Sequence, residues 1–435
     1  MRGPGIARRR DINVAMRNAL ERAVEALGDT HIDARMKGVP SSAGTFPLRD
    51  LAARRWRVGR APLLLPVLAA RASALEHNIE AMRRFCEEHG VWLAPHGKTT
   101  MCPQLFARQL RAGAWGMTAA TVEQLQVYRM FGVPRIVFAN QLAGESELRV
   151  VADALVSDPG FSLLLFVDSA AGVRMLADAA RARVVPEPVQ VLLELGYEGG
   201  RTGVRSADDA LAVAAAIRGS GGAVRLDGIA GFEGLLTNDA AGRERARAFL
   251  QSMDEIGAML LAGGHLADDY IVSAGGSSGF DLVVERFAED ARGARRVLLR
   301  SGCYVAHDHG TYAGSPAAAR RFEPALELWS VVHSRPEPSL AYLNFGRRDA
   351  PFDAGFPVPL YRTAADGKRQ PVHGWQIEGL NDQHARLRVP ATSDVAVGDV
   401  VVCGVSHPCG AFDRWKLVYV VDDAGAIVDG LLTFF

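Results

Sequence analysis

Phe161-Ser162-Leu163-Leu164-Leu165-Phe166-Val167 and Val189-Gln190-Val191-Leu192-Leu193-Glu194-Leu195 are apolar with almost no polar alternation. A strand that reads this way is buried on both faces, as strands are in a parallel sheet covered by helices. Similar short runs lie on either side of these two. They are Val91–Pro95, Trp115–Ala120, Arg135–Ala139, Leu226–Phe232, Asp269–Ala274 and Arg296–Arg300. That makes eight runs. The segments between them have helical period. Thr121-Val122-Glu123-Gln124 reads as a capping box, Ser169 as a cap, and Asn238 as the cap of a long helix. In that helix Phe249, Met253, Ile256, Met259 and Leu260 make an apolar stripe. Eight strands alternating with helices fit a (β/α)8 TIM barrel, with a doubly wound open sheet as the alternative.

The pattern changes beyond the barrel. From about Phe322 the strands are short and alternating: Leu326–His333, Ser339–Asn344, Trp375–Leu380, Ala385–Val389, Asp399–Val405 and Lys416–Val421. They predict a C-terminal antiparallel β domain. The expected division is an N-terminal extension over 1–58, a barrel over 59–310 and a β domain over 320–435. Leu63–Ala69 is a strand outside the count of eight and is expected to join the β domain.

Composition narrows the class. The chain has 435 residues, 49 Lys+Arg against 49 Asp+Glu, and an apolar fraction of 49%. Zero net charge argues against a nucleic-acid binder, and the apolar fraction argues against disorder. Five cysteines are too few and too uneven for a disulfide scaffold and point to a reducing compartment. Arg2, Arg8, Arg9 and Arg10 precede no apolar core of a signal peptide, and no run reaches the roughly 20 residues that cross a bilayer. A cytoplasmic protein is expected, its basic start a solvated tail.

In a barrel of this kind, chemistry comes from the loops after the strands' carboxyl ends. Pro95-His96-Gly97-Lys98-Thr99-Thr100 follows the first run. Lys98 stands where a partly desolvated lysine attacks a carbonyl, and His96 is expected to orient that loop. Asn140-Gln141 follows the third run and Asp168 the fourth. The fifth is followed by Gly196-Tyr197-Glu198-Gly199-Gly200-Arg201-Thr202-Gly203, the sixth by Glu233. After the seventh come Gly275-Gly276-Ser277-Ser278-Gly279, where backbone N–H groups can converge on an anion in the usual phosphate position of barrels. After the eighth come Ser301-Gly302-Cys303-Tyr304. A phosphate cradle and a reactive lysine suit pyridoxal phosphate, and equally a sugar-phosphate aldolase.

A second site is expected at Val405-Ser406-His407-Pro408-Cys409. On an extended chain, residues two apart point to one side. His407 and Cys409 can then offer an imidazole and a thiolate to zinc, with Asp413 as a third ligand or a supporting group. His307-Asp308-His309 reads as a hydrogen-bonded loop and Cys86 as core.

These motifs together resemble fold-type III pyridoxal phosphate enzymes of the D-serine dehydratase and D-threonine aldolase family. Pro95–Thr99 is similar to the family's lysine motif and Gly199–Gly203 to its Arg-Xaa-Gly segment. Ser273–Gly279 is similar to its phosphate loop, and Gly302-Cys303-Tyr304 to its Pro-Gly-Xaa-Tyr element with Ser301 in place of the proline. His407-Xaa-Cys409 resembles the metal pair of the dehydratases; the aldolases tend to carry His-Xaa-Asp. The resemblance covers about residues 60–420 and implies an alanine racemase-like architecture and a homodimer. It also implies pyridoxal phosphate bound as a Schiff base to Lys98. Arg201, Tyr197, Gly275, Gly276, Ser277, Gly302 and Tyr304 would surround the cofactor, and Zn2+ would sit on His407 and Cys409. His384 stands where many members have a Glu-His-Gly element. The implied reaction on a β-hydroxy D-amino acid is loss of water followed by imine hydrolysis, giving a 2-oxo acid and ammonia. Retro-aldol cleavage is the alternative, and a non-catalytic pyridoxal phosphate carrier is a reading from another class.

Overall fold

The structure is a computed structural model that describes residues 19–158, 160–237, 239–291, 295–363 and 369–435. The arginines of the basic start and Asn238 lie outside the described residues. Two compact units are present. The first comprises Met1–Arg22, Arg83–Lys98 and Gln109–Gly302; the second comprises Ala23–Met82, Thr99–Arg108 and Cys303–Phe435.

All eight expected runs of the first unit are parallel strands: Trp92–Leu93, Met117–Ala119, Arg135–Phe138, Ser162–Val167, Val189–Leu195, Val224–Gly231, Ile271–Ala274 and Arg296–Leu299. From the second strand to the eighth each pairs with the next, and the eighth pairs with the first. The sheet closes on itself. A parallel bridge joins His96 to Thr118, and the Trp115 and Thr118 N–H groups donate to the Leu93 and Pro95 carbonyls at 2.7 and 2.8 Å. That closure decides for the barrel over the open sheet.

The runs are continuously apolar because both strand faces are buried. Ala94, Val137, Leu164, Phe166, Leu192, Ala230, Ile271 and Leu298 form one cluster with Trp92 and Trp115 packed against it. Leu163, Leu165 and Val167 alternate with that set and are buried too. Two of the expected caps hold: Thr121 opens Val122–Met130 and Ser169 opens Ala170–Ala182. The Gln124 amide oxygen accepts from the Ala120 N–H, one residue further back than a capping box reaches. Asp239 caps Ala240–Ala262, accepting from the Gly242 N–H at 2.6 Å. Phe249, Met253 and Leu260 of that helix are buried.

In the second unit an antiparallel sheet runs Arg369–Pro371, Val358–Thr363, Val400–Gly404, Leu326–Glu337, Leu340–Leu343, Ala385–Arg388, Gln376–Leu380. Val67–Arg71 joins it, antiparallel to Leu326–Glu337 and parallel to Leu417–Val421. Three strands joined to this sheet were not foreseen. Val358–Thr363 contains Pro359, which is accommodated at a bulge, and its neighbour Arg369–Pro371 is an exposed edge. Ile427–Leu432 carries Asp429 and Gly430, which read as a turn. Residues 23–58 hold short 3-10 turns and a two-stranded antiparallel pair, His31–Ile32 with Phe46–Pro47, which was also not foreseen; Ile32, Leu48 and Leu51 are buried. No helix among the described residues is long and apolar enough to cross a membrane.

Candidate active site

Lys98 lies in a 3-10 turn, Gly97–Thr99, just past the first barrel strand. His96 is held by its backbone N–H, which donates to the Arg300 carbonyl at 3.2 Å. Its imidazole titrates well below the usual range, first because it is buried and then because Lys98, Arg300 and Arg201 repel a further positive charge. His96 is therefore a neutral ring among three cationic groups. Its Nδ1 is buried and lacks a hydrogen-bond partner. A cationic mouth with an unsatisfied buried nitrogen suits a polar, anionic ligand.

The Gly275–Gly279 loop already binds an anion, its own neighbour. Glu233, fully buried, accepts from the Gly276 N–H at 2.7 Å and from the Gly275 N–H at 3.1 Å. Gly275 needs its φ of +91°, and a Cβ on Gly279 would lie 2.5 Å from Glu233 Oε1. Ser301 braces the loop from below, donating to the carbonyls of Gly275 and Gly276 at 3.0 and 3.2 Å. Thr237 and Ser278 bond through their hydroxyls at 2.6 Å. The helix Phe280–Ala291 starts directly after the loop, so its positive dipole end faces the same place. Loop, helix end and cationic neighbours fit a phosphorylated cofactor. The amides of Gly275 and Gly276 are engaged by Glu233, which fixes the loop's shape.

Arg300 escaped the sequence reading. It is buried at the end of the eighth strand, donating to Ser273 Oγ and to the Gly231 carbonyl, both at 2.7 Å. Burial pulls its guanidinium down to about 10, against the opposing pull of Glu233 and Glu194. An arginine ending an apolar run gave no sign that it turns inward. Glu194 pairs with the Gln141 amide. The Arg201 guanidinium lies 4.6 Å from the centre of the Phe232 ring. Its loop is tied by Arg205, which donates to the Thr202 carbonyl at 2.9 Å, and by Asp168, which accepts from the Gly203 N–H at 3.0 Å. Tyr197 packs edge-on against Phe249 at 5.1 Å. Gly302 ends the first unit, and Ser277 lies between the engaged glycines and the helix start.

The second unit holds the metal candidates. Cys303, His407 and Cys409 place their ligand atoms within 4.8 Å of one another. The two sulfurs are 3.4 Å apart. Two Zn–S bonds of about 2.3 Å at a tetrahedral angle separate their sulfurs by about 3.8 Å, so a few tenths of an ångström of movement would seat the ion. Thr99 Oγ1 lies 3.4 Å from Cys409 Sγ and 3.6 Å from Cys303 Sγ. His407 Nδ1 bonds Asp353 Oδ2 at 2.9 Å, which leaves the other ring nitrogen for a metal. Hydrogen bonding to Cys303, then to Asp353, raises this imidazole to about 9. This donor set fits zinc.

The geometry differs from the extended-chain expectation. His407 is extended, at φ −153° and ψ 114°, but Cys409 lies in the first turn of a short helix, Pro408–Phe412. Asp413 pairs with Arg414 instead, at 2.7 Å, and Asp353 takes the supporting place expected of it. His384 is exposed, packs edge-on against Tyr342 at 6.4 Å, and is outside the trio. Tyr304 is buried with its ring 5.6 Å from that of Phe322. The loop at Asp308 is hydrogen-bonded: one carboxylate oxygen accepts from the Gly310, Tyr312 and Ala313 N–H groups. Cys86 is buried, as expected of core.

Comparison with known proteins agrees with these features. Residues 71–289 match the N-terminal domain of alanine racemase, and 325–421 match a putative serine dehydratase domain. The chain is 27% identical over 371 residues to a D-threonine aldolase from Arthrobacter sp, covering 84% of this chain and 90% of that one. It is 30% identical over 155 residues to D-threo-3-hydroxyaspartate dehydratase from Delftia sp. (strain HT23), covering 36% of this chain and 40% of the relative. The fold resembles that of D-threonine aldolase from Filomicrobium marinum, with a TM-score of 0.72 at 24% identity over 85% of this chain and 95% of that one. The domain matches, covering Lys98, the glycine loop and the His407–Cys409 pair, place the chain in the fold-type III pyridoxal phosphate enzymes of the D-serine dehydratase and D-threonine aldolase family.

Proposed function

We propose that the chain is a zinc-dependent lyase of this family that eliminates water from a β-hydroxy D-amino acid, the imine that results being hydrolysed to a 2-oxo acid and ammonia. The observation that carries the choice is the sulfur-bearing metal cluster, because the family resemblance links Cys at the second metal position with dehydration.

Bound at Lys98, pyridoxal phosphate supplies an electron sink for the bond broken at Cα. Zinc supplies a Lewis acid for the β-hydroxyl. The Lys98 amine would hold the cofactor. With its amine free, Lys98 would be the base for the α-proton. Arg201 brings a fixed positive charge that would disfavour protonation of the cofactor's pyridine nitrogen if it faces it. His96 stays neutral and adds no charge beside Lys98. Glu233 holds the glycine loop in the shape that receives the phosphate. The family's homodimeric assembly and a cytoplasmic location complete the proposal.

A specific observation favours retro-aldol cleavage as the second reading: the relative matched over 84% of this chain is a D-threonine aldolase. The match of residues 325–421 to a dehydratase domain speaks against a cofactor carrier without turnover. The test is incubation of the protein, pyridoxal phosphate and zinc with D-serine, D-threonine and D-threo-3-hydroxyaspartate. A 2-oxo acid with ammonia is the expected product. Glycine with an aldehyde would replace dehydration by the aldolase reading. A Lys98→Ala protein should lose both turnover and the cofactor absorbance that borohydride fixes; full activity in that variant would refute the role of Lys98.

A further inference from the structure

The family element at residues 301–304 leaves its third position open, and here that position is Cys303. We propose that Cys303 is a third protein ligand of the metal, joining His407 and Cys409, so that a tetrahedral ion keeps one open position. This rests on the metal reading of the preceding section.

Four features support it. Cys303 is buried, and its sulfur lies 3.4 Å from that of Cys409. Its backbone is pinned: the His307 and Ala306 N–H groups donate to its carbonyl at 2.7 and 3.2 Å, closing the 3-10 turn Cys303–Val305. The turn therefore fixes the backbone that carries the thiol. Thr99 stands within reach of both sulfurs, so one hydroxyl serves the two as a common neighbour. Finally, the two sulfurs, one buried and one half-buried, lie close enough for one divalent cation to bridge them.

The consequence is chemical. With one imidazole and two thiolates the centre is formally neutral, whereas one thiolate leaves it a net positive charge. A neutral centre acidifies a bound hydroxyl less, and it offers the substrate one site instead of two. The thiolates also bias the site toward zinc and cobalt over magnesium or manganese.

The test uses the pyridoxal phosphate-loaded protein, stripped of metal under reductant and titrated with Co2+. Thiolate-to-cobalt charge-transfer absorption scales with the number of thiolates bound. The wild type should show the two-thiolate intensity, and Cys303→Ser and Cys409→Ser should each show about half. Zinc affinity, measured by competition with a chromophoric chelator, should fall at least about tenfold in Cys303→Ser. Unchanged cofactor absorbance in that variant reports an intact barrel. A wild-type intensity equal to one thiolate overturns the assignment of Cys303 and leaves the His407–Cys409 site standing. That measurement needs no variant, so it decides the matter even if Cys303→Ser fails to fold. Unchanged intensity and affinity in Cys303→Ser overturns it equally. A wild type that binds neither cobalt nor zinc overturns the metal reading as well.

Discussion

Replacing Glu233 by glutamine probes the phosphate loop without touching substrate. The carboxylate is fully buried and accepts two backbone N–H groups, from Gly276 at 2.7 Å and Gly275 at 3.1 Å. Glutamine keeps one acceptor oxygen and turns an NH2 toward the other N–H. One charge-assisted bond, worth about 1.5–3 kcal/mol, is lost, and the second becomes an ordinary one. Buried Arg300 also loses one of the two carboxylates that offset its charge. The combined cost should be about 3–5 kcal/mol, the range for breaking a buried charged interaction. At about 1.4 kcal/mol per decade, that shifts the unfolding equilibrium by two to three and a half orders of magnitude. The assay is urea unfolding at saturating cofactor and without it. The midpoint should fall with an unchanged slope, and cofactor affinity should fall with it, because the loop is no longer held in its anion-binding shape. Glu233→Gln within 1 kcal/mol of wild type, with unchanged cofactor affinity, would refute the claim that this carboxylate shapes the loop.

Asp353→Asn should weaken zinc binding by about 10–100-fold, since Asp353 orients His407 and raises its basicity; competition with a chelator reads this directly. Zinc affinity should also depend on pH. With its folded pKa raised to about 9, metal-free His407 is protonated below that pH, so apparent affinity should fall as pH drops from 9 and level off above it. A flat profile between pH 7 and 9 contradicts this. The sign for stability is opposite: the raised pKa stabilises the metal-free fold fully below about 6.5, and the gain is lost as pH rises through 9. Asp239→Ala should cost about 1 kcal/mol of stability in urea unfolding by removing the cap of Ala240–Ala262, with turnover unchanged.

Much of this molecule was legible because its signals are local. The eight barrel strands are short, apolar and regularly spaced, since burial on both faces demands apolar residues at every position. Thr121 and Ser169 showed as caps because a side-chain oxygen at the residue before a helix can accept one of its first free N–H groups. Lys98, the glycine loop and the His407–Cys409 pair each sit in a stretch readable on its own. Strands at Val358–Thr363 and Ile427–Leu432 were hidden by Pro359 and by Asp429-Gly430, because tertiary pairing overrides local preference. What the sequence determined alone was thus the barrel, the β domain and the types of chemistry carried by single motifs. Only the tertiary structure decided which distant groups meet. It closed the sheet through His96 and Thr118, turned Arg300 inward, set Glu233 against the glycine amides and brought Cys303 to Cys409 across 106 residues. It also gave His407 its partner in Asp353, 54 positions away, where Asp413 stood closer in the chain. Distance along the chain carries no information about such meetings; they follow from how strands pair and where the turns that carry each side chain are pinned.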